Sequence, residues 1–298
     1  MTAPKLSVVF VNYNSTELAS RAIASLRRSS CGVTLEILVV DNASADRAAV
    51  RSLCAGSGVK VLLLTSNLGY GPAANRAARY ASGEYLAIAN PDLEFPDGAL
   101  RDLVSFMDST PRAGVVGPQL VYPDGSLQPS ARRYPRLRYV FAGRRSPLVR
   151  AFPGLRIASE FQYLEEASGP GPLRVESVVG PFMVFRKAAF DSVGGFDEGF
   201  FMYSEDVDIC RRIAANWSVY LLPSAQVLHY VGQTRRRYRR FTEYHRVRSL
   251  RRFWMRNVGV LGRGLLSVLL AGYLAMLLWF GLMGAGEHEY SWRSKGKT

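Results

Sequence analysis

Carboxylates are concentrated in one short stretch of the sequence, FFMYSEDVDICRR, at residues 200–212. Glu205, Asp206 and Asp208 lie within four positions of one another, after an aromatic run and before an arginine pair. A carboxylate held beside a substrate hydroxyl can act as a general base. The same residues also suit the first turn of a helix with Ser204 as its N-cap, because acidic side chains there stabilise the helix dipole. The stretch is therefore either a helix start or a catalytic centre.

Two further residues are of types that bind metal ions. Asp92 ends the motif NPD at 90–92, and His229 lies in VLHYVG. A carboxylate after a strand suits a hard divalent cation, which in turn binds a diphosphate, and imidazole is a common metal ligand. Asp41, in VVDNAS, can accept hydrogen bonds from a nucleobase or a ribose. Each motif by itself also fits an ordinary turn.

A glycine pattern, Gly69-x-Gly71-x-x-Ala74, lies in the segment NLGYGPAAN at 67–75. It nearly matches the loop whose backbone N–H groups meet phosphate in dinucleotide-binding proteins. That loop follows the first strand of those folds, whereas this one follows the third predicted strand. The first crossover, VNYNSTE, contains no glycine. A Rossmann dehydrogenase is therefore the weaker hypothesis, and a tight turn that needs glycine is an alternative explanation.

The elements that position these residues are predicted from an alternating pattern in the first 120 residues. Apolar runs at 6–11, 35–41, 59–64 and 85–90 alternate with helical patterns at 16–28, from about 46, at 71–81 and at 98–108. Such alternation predicts a parallel sheet covered on both faces by helices. Ligands bind beyond the carboxyl ends of such strands. Polar clusters follow all four runs, at 12–14, 41–44, 67–71 and 90–92.

The pattern changes after residue 122. Residues 123–174 are rich in proline, glycine and arginine, which predicts a long excursion beside the site. A strand is predicted at 175–186 and a helix at 187–193, before the acidic stretch. The three cysteines have no paired spacing, so neither a disulfide framework nor a cysteine-rich zinc site is expected, and a reducing compartment fits. The N-terminal apolar run predicts a first strand and not a signal peptide.

The net charge of +14 is regional. Residues 126–159 contain eight arginines and no acid, and residues 235–256 contain ten arginines and one glutamate. Residues 264–286 then contain no charged side chain, over about the length that crosses a bilayer. A basic run before an apolar one is typical of a cytoplasmic membrane face. We expect membrane association by a spanning or an interfacial helix, with a buried helix as the alternative and no nucleic-acid binding.

In their order along the chain, the motifs resemble family 2 of the inverting glycosyltransferases. The set is VNYN, VVDNAS, NLGYGPAAN, NPD, VVGPFMVFRKAAF, GGFDEGFFMYSEDVD and a later histidine, over about residues 5–232. QPSARRYP, at 128–135, further resembles the rhamnosyltransferases that act on polyprenyl-diphosphate-linked sugars. The resemblance implies an α/β fold of the GT-A type, with a mostly parallel nucleotide-binding sheet and helices on both faces. It implies a nucleotide-sugar half at about 1–122, an acceptor half at about 123–232 and a membrane-associated helical segment at 233–298.

The resemblance also implies a role for each matching position. Asp206 matches the catalytic base, with Glu205 and Asp208 as supporting acids. Asp92 and His229 match ligands of a Mg²⁺ or Mn²⁺ ion, although the first acid of the family's Asp-x-Asp motif is Asn90 here. The positions implied in nucleotide-sugar binding are Val11, Asn12, Tyr13, Asn14, Asp41, Asn67, Gly71, Asn75 and Asn90. Those implied in binding the acceptor or a diphosphate are Arg132, Arg133, Gly180, Phe182 and Tyr203.

The implied reaction is one inverting displacement, in which the base removes the acceptor's proton and the metal neutralises the leaving diphosphate. The implied donor is dTDP-rhamnose and the acceptor a polyprenyl-diphosphate-linked sugar, in cell-wall or surface-polysaccharide synthesis. We expect the chain on the cytoplasmic face of the inner membrane, peripheral or anchored by residues 264–286. Two alternatives stay open: an active galactofuranosyl, glucosyl or N-acetylhexosaminyl transferase, and an inactive sugar-nucleotide-binding scaffold. The oligomeric state is not predicted.

Overall fold

The four apolar runs of the first 90 residues form the parallel half of a central sheet. They are the strands β1 (Leu6–Asn12), β2 (Leu35–Asp41), β3 (Val59–Leu63) and β4 (Tyr85–Ala89). The helices in this part of the chain are α1 (Thr16–Arg28), α2 (Arg47–Ser52), α3 (Tyr70–Ala78) and α4 (Ala99–Ser109). Neighbouring residues of each strand alternate between the two sheet faces, as the pleat requires. The predicted elements of this half are therefore confirmed, with small differences at their ends.

The computed structural model adds seven strands after β4. They are β5 (Leu93–Glu94), β6 (Ala113–Val121), β7 (Ala131–Arg132), β8 (Leu173–Arg174), β9 (Ser177–Val178), β10 (Phe182–Arg186) and β11 (Ser218–His229). The later helices are α5 (Ile157–Phe161), α6 (Lys187–Ser192), α7 (Glu205–Ile213) and α8 (Arg239–Asn257). The main sheet has the order β3-β2-β1-β4-β10-β6-β11-β5, with β8 paired to β11, and β7 pairs with β9 separately.

The sheet is mixed where the sequence pattern predicts a mostly parallel one. Strand β10 lies between β4 and β6 and is antiparallel to both. The strand predicted at 175–186 is in fact two, β9 and β10, separated by the turn at 179–181. Strand β6 was not predicted at all, although all nine of its residues are buried. It contains two glycines and a proline, which are depleted in strands, so its sequence lacks the continuous apolar run by which the other strands were predicted.

The core lies on both faces of the sheet. One layer holds residues of α1 and α4 packed against alternate residues of β1, such as Val8 and Phe10. The other holds residues of α3 and α7 packed against Val9 and Val11. Because each face of the sheet is covered, the residues at the strand ends are the ones left free to form a site.

The structure describes residues 3–257 except 31, 54–57, 137–138, 140–155 and 231–238, and beyond 257 only 263–264, 267–269, 271–272 and 275. The chain divides into two units, residues 1–250 and 251–298. Most of the apolar segment 264–286 lies outside the described residues. Among the residues that are described, no helix is both long and apolar enough to cross a membrane. The predicted domain limits and the membrane segment therefore stay predictions.

Candidate active site

Asp206 lies in the first turn of α7, and two backbone N–H groups hold its carboxylate. Gly180 donates to Oδ2 at 3.0 Å, and Val207 donates to Oδ1 at 2.9 Å. The residue is 9% exposed, so it is buried but not fully enclosed. Hydrogen bonds from two peptide N–H groups fix the direction of the carboxylate. Asp206 is thus an oriented carboxylate whose remaining lone pairs are available to a substrate.

Gly180 links Asp206 to Tyr70, at the start of α3. The Tyr70 hydroxyl donates to the Gly180 carbonyl at 3.1 Å. Burial raises the pKa of Tyr70 well above its ordinary value, and the negative charges of Glu205, Asp206 and Asp92 raise it further. Three carboxylates from two segments, the start of α7 and the NPD turn, therefore act on one phenol.

Glu205 precedes Asp206 and lies deeper in the protein. It is 7% exposed, and its Oε2 is buried without a hydrogen-bond partner among the described residues. Burial raises the pKa of Glu205 strongly, and the charge of Asp206 raises it further, whereas the positive charge of Arg132 lowers it. Burial and the neighbouring negative charge therefore both favour the protonated form of Glu205.

Asp208 has a different environment from the other two acids. Its Oδ2 accepts a hydrogen bond from Arg212 Nε at 2.7 Å, one helical turn along α7. The same guanidinium donates to the carbonyl of Val193 at 2.8 Å. Arg212 therefore links α7 to the end of α6, and Asp208 holds its guanidinium in place. Before the helix, Tyr203 and Ser204 have positive φ values of 66° and 63°, and the Ser204 side chain makes no capping hydrogen bond.

Asp92 and His229 are brought together by the pairing of β5 with the end of β11. His229 lies opposite Leu93 in that antiparallel pair, and the N–H of Tyr230 donates to the Asp92 carbonyl at 2.9 Å. The His229 Nε2 is 3.5 Å from Asp92 Oδ1. Two candidate ligands that are far apart in sequence thus face each other at one edge of the sheet.

The chemistry of this pair fits a divalent cation. Asp92 Oδ1 is buried and lacks a hydrogen-bond partner within the described part of the chain, so an acceptor atom is left unsatisfied. A carboxylate oxygen is a preferred ligand of Mg²⁺ and Mn²⁺, and an imidazole nitrogen is a common metal ligand. Among the described residues, no group of three His, Cys, Asp or Glu is placed to hold a metal ion. Asp92 and His229 are therefore the candidate ligands at this edge of the sheet.

The ends of β1 and β2 form a third polar cluster. Asn12 Nδ2 donates to Asp41 Oδ1 at 2.9 Å, and the N–H of Ser44 donates to Asp41 Oδ2 at 3.0 Å. Asn12 and Asp41 are fully buried, and the N–H of Asn14 donates to Ser44 Oγ at 2.8 Å. Asp41 therefore shapes the loop from inside, while Tyr13, at 37% exposure, lies on its surface. Their role in nucleotide binding stays a prediction.

The glycine loop packs against protein and does not present its first N–H groups to a ligand. Gly69 donates to Asn67 Oδ1 at 3.0 Å, and Tyr70 N–H donates to the Phe201 carbonyl at 2.8 Å. Gly69 has φ of +93°, and a Cβ there would lie 2.3 Å from the Phe201 oxygen. Asn42, which the site prediction omitted, donates to Asn67 Oδ1 at 2.9 Å. The glycine thus permits close approach of two loops, as the tight-turn explanation expects.

Gly71 and Asn75 also serve contacts within the protein. A Cβ at Gly71 would lie 2.9 Å from the Phe196 side chain. The Asn75 amide forms two hydrogen bonds with the backbone of Phe196, donating to its oxygen at 2.8 Å and accepting from its N–H at 2.9 Å. Both residues therefore hold the GGFDEGF segment that leads to Asp206. Both ends of the Asn75 amide are thus used in contacts within the protein.

The predicted acceptor residues separate into two groups. Arg132 is exposed and close enough to act on the charge of Glu205. Arg133 instead pairs with Glu166 at 2.7 Å and stacks over the Tyr163 ring at 4.3 Å. Phe182 is 1% exposed, so its side chain belongs to the core and is not presented to an acceptor.

Asn90 lies next to the Gly180 turn, because its N–H donates to the Pro181 carbonyl at 2.8 Å. The structure therefore brings Asn90, Asp92, Gly180, Asp206 and His229 to one edge. Sequence patterns missed Tyr70 and Gln128, whose contacts join this group. Tyr70 lies in the motif NLGYGPAAN and Gln128 in the motif QPSARRYP. Their place in these motifs was the one sequence signal that could have identified them.

Comparisons with known proteins identify the family of the chain. Residues 7–194 match the model of glycosyl transferase family 2, and residues 161–292 match glycosyl transferase family group 2. The chain is 35% identical, over 76% of its length and 76% of the relative's, to N-acetylglucosaminyl-diphospho-decaprenol L-rhamnosyltransferase of Mycobacterium tuberculosis. It is 27% identical over 70% of its length to the hexosyltransferase Agl10 of Haloferax volcanii, of which it covers 61%.

Solved structures share the fold at low sequence identity. The mannosyltransferase PcManGT from Pyrobaculum calidifontis, in complex with GDP-Man and Mn²⁺, superposes with a TM-score of 0.58 and 19% identity, over 87% of this chain and 66% of that one. The mixed α/β sheet is therefore of the GT-A type, as the resemblance implied. Together with the match over residues 7–194, this shows that the chain belongs to glycosyl transferase family 2.

Proposed function

We propose that this chain is an inverting, metal-dependent glycosyltransferase that moves L-rhamnose from dTDP-rhamnose to a polyprenyl-diphosphate-linked sugar. The observation that carries the proposal is the arrangement around Tyr70, where the oriented carboxylate of Asp206 and the Asp92–His229 pair meet. Asp206 is suited to act as a general base. The Asp92–His229 pair is suited to hold a cation that balances the charge of a leaving diphosphate. The donor and acceptor are proposed from the 35% identity to the mycobacterial rhamnosyltransferase.

Asp206 removes the proton from the acceptor hydroxyl as its oxygen attacks the anomeric carbon of the donor sugar. The bond between that carbon and the diphosphate oxygen breaks, and the nucleoside diphosphate leaves from the opposite face. The configuration of the carbon is therefore inverted. A hydroxyl is a poor nucleophile until a base takes its proton, and a positioned base typically contributes roughly 10²–10⁴-fold. The raised pKa of Glu205 favours its protonated form, which adds no negative charge beside Asp206.

Asp92 and His229 would hold the divalent cation, which when bound supplies positive charge to the leaving diphosphate. The buried, unsatisfied Asp92 Oδ1 is the observation that supports this assignment. Arg132 is the arginine we assign to the donor or acceptor diphosphate, because it is exposed beside the acids. Arg133 is not available in the same way, since Glu166 and Tyr163 engage its guanidinium.

We further propose that the enzyme works on the cytoplasmic face of the inner membrane. The support is the first part of α8, which exposes Phe241, Tyr244 and Arg248. These residues recur at helical spacing, and aromatic rings and arginines suit an anionic bilayer surface. The buried side of the same helix contacts the loop before Asp206: His245 stacks on Phe201 with ring centroids 4.5 Å apart. A lipid-linked acceptor would thus be met close to the catalytic carboxylate.

A panel of nucleotide sugars tests the donor. The purified full chain is incubated with Mn²⁺, a lipid extract containing polyprenyl-diphosphate-linked sugars, and one nucleotide sugar at a time. Lipid-linked product from dTDP-rhamnose alone supports the proposal. Product from a galactofuranosyl, glucosyl or N-acetylhexosaminyl donor would show that the donor is that sugar and not rhamnose. The absence of product from every donor would favour an inactive scaffold. NMR of the product's anomeric proton checks the inversion.

Vesicle sedimentation tests the location. We expect the protein to bind vesicles that contain roughly 30–40% anionic lipid and to bind neutral vesicles weakly. The reason is that each basic residue near an anionic surface contributes about 1 kcal/mol to binding. Arg248→Glu should weaken the binding, whereas Arg101→Glu, on the exposed side of α4, should leave it unchanged. Equal binding of the two variants would contradict the proposed surface.

A further inference from the structure

Gln128 forms a two-sided contact with His229, 101 residues later in the chain. Its Nε2 donates to the His229 carbonyl at 2.9 Å and to the Val121 carbonyl at 3.2 Å. Its Oε1 lies 3.0 Å from the His229 Nδ1. The side chain is 6% exposed, so water does not replace these partners. One amide thus holds both the backbone and the ring of the histidine.

These contacts determine where the hydrogen of the neutral imidazole lies. The amide nitrogen of Gln128 must be the atom between the two carbonyl oxygens, because an amide oxygen there would face two other acceptors. The Oε1 therefore faces His229, and since it can only accept, Nδ1 must carry the hydrogen. The other ring nitrogen, Nε2, is left with its lone pair.

The free nitrogen faces Asp92, whose Oδ1 is 3.5 Å away and unsatisfied. We propose that Gln128 is a positioning residue that holds His229 as the Nδ1–H tautomer, so that Nε2 is ready to bind a divalent cation together with Asp92. The inference rests on the metal centre of the proposed function. A metal-bound histidine generally donates its other N–H to an acceptor, and such partners set the ring's tautomer and direction.

Gln128 is itself held in place, as a positioning residue must be. Its N–H donates to the Leu120 carbonyl at 2.8 Å. Its carbonyl accepts from Gln119 Nε2 at 2.6 Å and from Ser130 Oγ at 2.8 Å. The hairpin that follows β6 therefore fixes the glutamine, and the glutamine fixes the ring at the end of β11. No metal is needed for this arrangement, so the histidine is preorganised.

The tautomer can be measured directly on the metal-free, unmodified protein. The chain contains three histidines, so two-bond ¹⁵N–¹H correlation spectra of the imidazoles are simple, and loss of one set of peaks in His229→Asn assigns the ring. At a pH where the ring is neutral, we expect the Nδ1–H pattern for His229. An Nε2–H pattern, or a mixture of the two, would overturn the inference without any substitution at Gln128.

Mn²⁺ binding in the presence of dTDP tests the consequence. Free Mn²⁺ is followed by electron paramagnetic resonance with the wild type, Gln128→Met, Ser7→Ala and His229→Asn. Loss of a partner of this kind weakens metal binding by roughly 10–100-fold, which is the effect expected for Gln128→Met. Ser7→Ala removes a buried hydrogen bond from the Gly83 N–H at the other end of β1, away from the histidine, so its dissociation constant should match the wild type.

The possible results distinguish the inference about Gln128 from the assignment of the metal centre to Asp92 and His229. If His229→Asn binds Mn²⁺ as tightly as the wild type, the metal centre is wrong and the inference falls with it. If His229→Asn weakens binding but Gln128→Met does not, the metal centre stands and the inference alone is overturned. A purely structural role for Gln128 would lower the melting temperature of Gln128→Met and Ser7→Ala alike and leave both metal affinities unchanged, which would also overturn it.

Discussion

The backbone N–H of Gly180 donates a 3.0 Å hydrogen bond to the carboxylate of Asp206. The same residue accepts the Tyr70 hydroxyl through its carbonyl at 3.1 Å. One peptide group therefore joins the start of α3 to the start of α7. The peptide's N–H holds the carboxylate and the phenol restrains the peptide, so the direction of Asp206 is set before a substrate arrives.

Asp206→Asn is expected to abolish transfer and leave donor binding nearly unchanged. An amide cannot take the acceptor's proton, and losing a general base typically costs roughly 10²–10⁴-fold in rate. Turnover and the dissociation constant for dTDP-rhamnose, measured by calorimetry, check the two parts. Asp191→Asn, at an exposed aspartate, serves as control and should keep full activity. Turnover of Asp206→Asn within about tenfold of the wild type would contradict its role as base.

Tyr70→Phe is expected to lower kcat by about three- to tenfold at nearly constant KM for the donor. The variant loses the hydrogen bond that restrains the Gly180 peptide, and a neutral hydrogen bond contributes about 0.5–1.5 kcal/mol. Steady-state kinetics and a melting curve measure both effects. Tyr80→Phe, at an exposed tyrosine just after α3, is the matched control. An unchanged kcat would show that the peptide needs no such restraint.

Removal of divalent metal is expected to stop the reaction. Excess EDTA should abolish turnover, because without the metal the leaving diphosphate lacks its counter-charge. Added Mn²⁺ or Mg²⁺ should restore turnover. Asp92→Asn should lower kcat/KM by about 100-fold or more, since metal stabilisation of charge is worth several kcal/mol. Asp97→Asn, a few residues away, provides a comparison. Turnover that persists unchanged in excess chelator would count against both Asp92 and His229.

Glu205→Gln is expected to reduce the dependence of stability on pH. Burial, and then the charge of Asp206, raise the pKa of Glu205 from 4.5 to about 8. Between these two values the folded protein keeps a proton that the unfolded chain releases, so the wild type loses stability as the pH rises. Above about pH 8 the amide variant should be more stable by roughly 1–4 kcal/mol.

Melting temperatures from pH 5 to pH 9 measure this difference. The wild type and Glu205→Gln should be close at pH 5 and diverge as the pH rises. Glu165→Gln, at an exposed glutamate, should follow the wild type throughout. Parallel curves for all three proteins would mean that Glu205 ionises normally in the folded state.

Gly69→Ala is expected to destabilise the protein and to lower activity. The φ of +93° costs about 1–2 kcal/mol for a residue with a Cβ. The contact at 2.3 Å with the Phe201 oxygen forces the two loops apart, which typically adds about 1–3 kcal/mol. Gly32→Ala isolates the first cost, because Gly32 has φ of +83° and no atom within 4 Å of its Cβ position. Equal losses of unfolding free energy in the two variants would exclude a steric role for the Phe201 loop.

Local patterns in the sequence predict the parallel half of the fold and much of the site. Buried strands such as β1 and β2 are continuous apolar runs, and the residues that follow them are polar, so the ligand-binding edge can be located without a structure. The acids at the start of α7 are recognised in the same way, because a helix start and a carboxylate cluster both leave local signals. Membership of family 2 follows from the order of these motifs.

The sequence by itself thus determined which residue types stand at the strand ends and which family the chain belongs to. Only the tertiary structure decided which contacts each of the three acids makes: Asp206 is held by Gly180, and Asp208 is paired with Arg212. It also decided that Arg132 is exposed while Arg133 is engaged, and that Gln128 faces His229. The physical reason is that hydrogen bonds and burial join positions more than 100 residues apart, whose pairing depends on the antiparallel insertion of β10 and on the long strand β11. No local period in the sequence records those pairings.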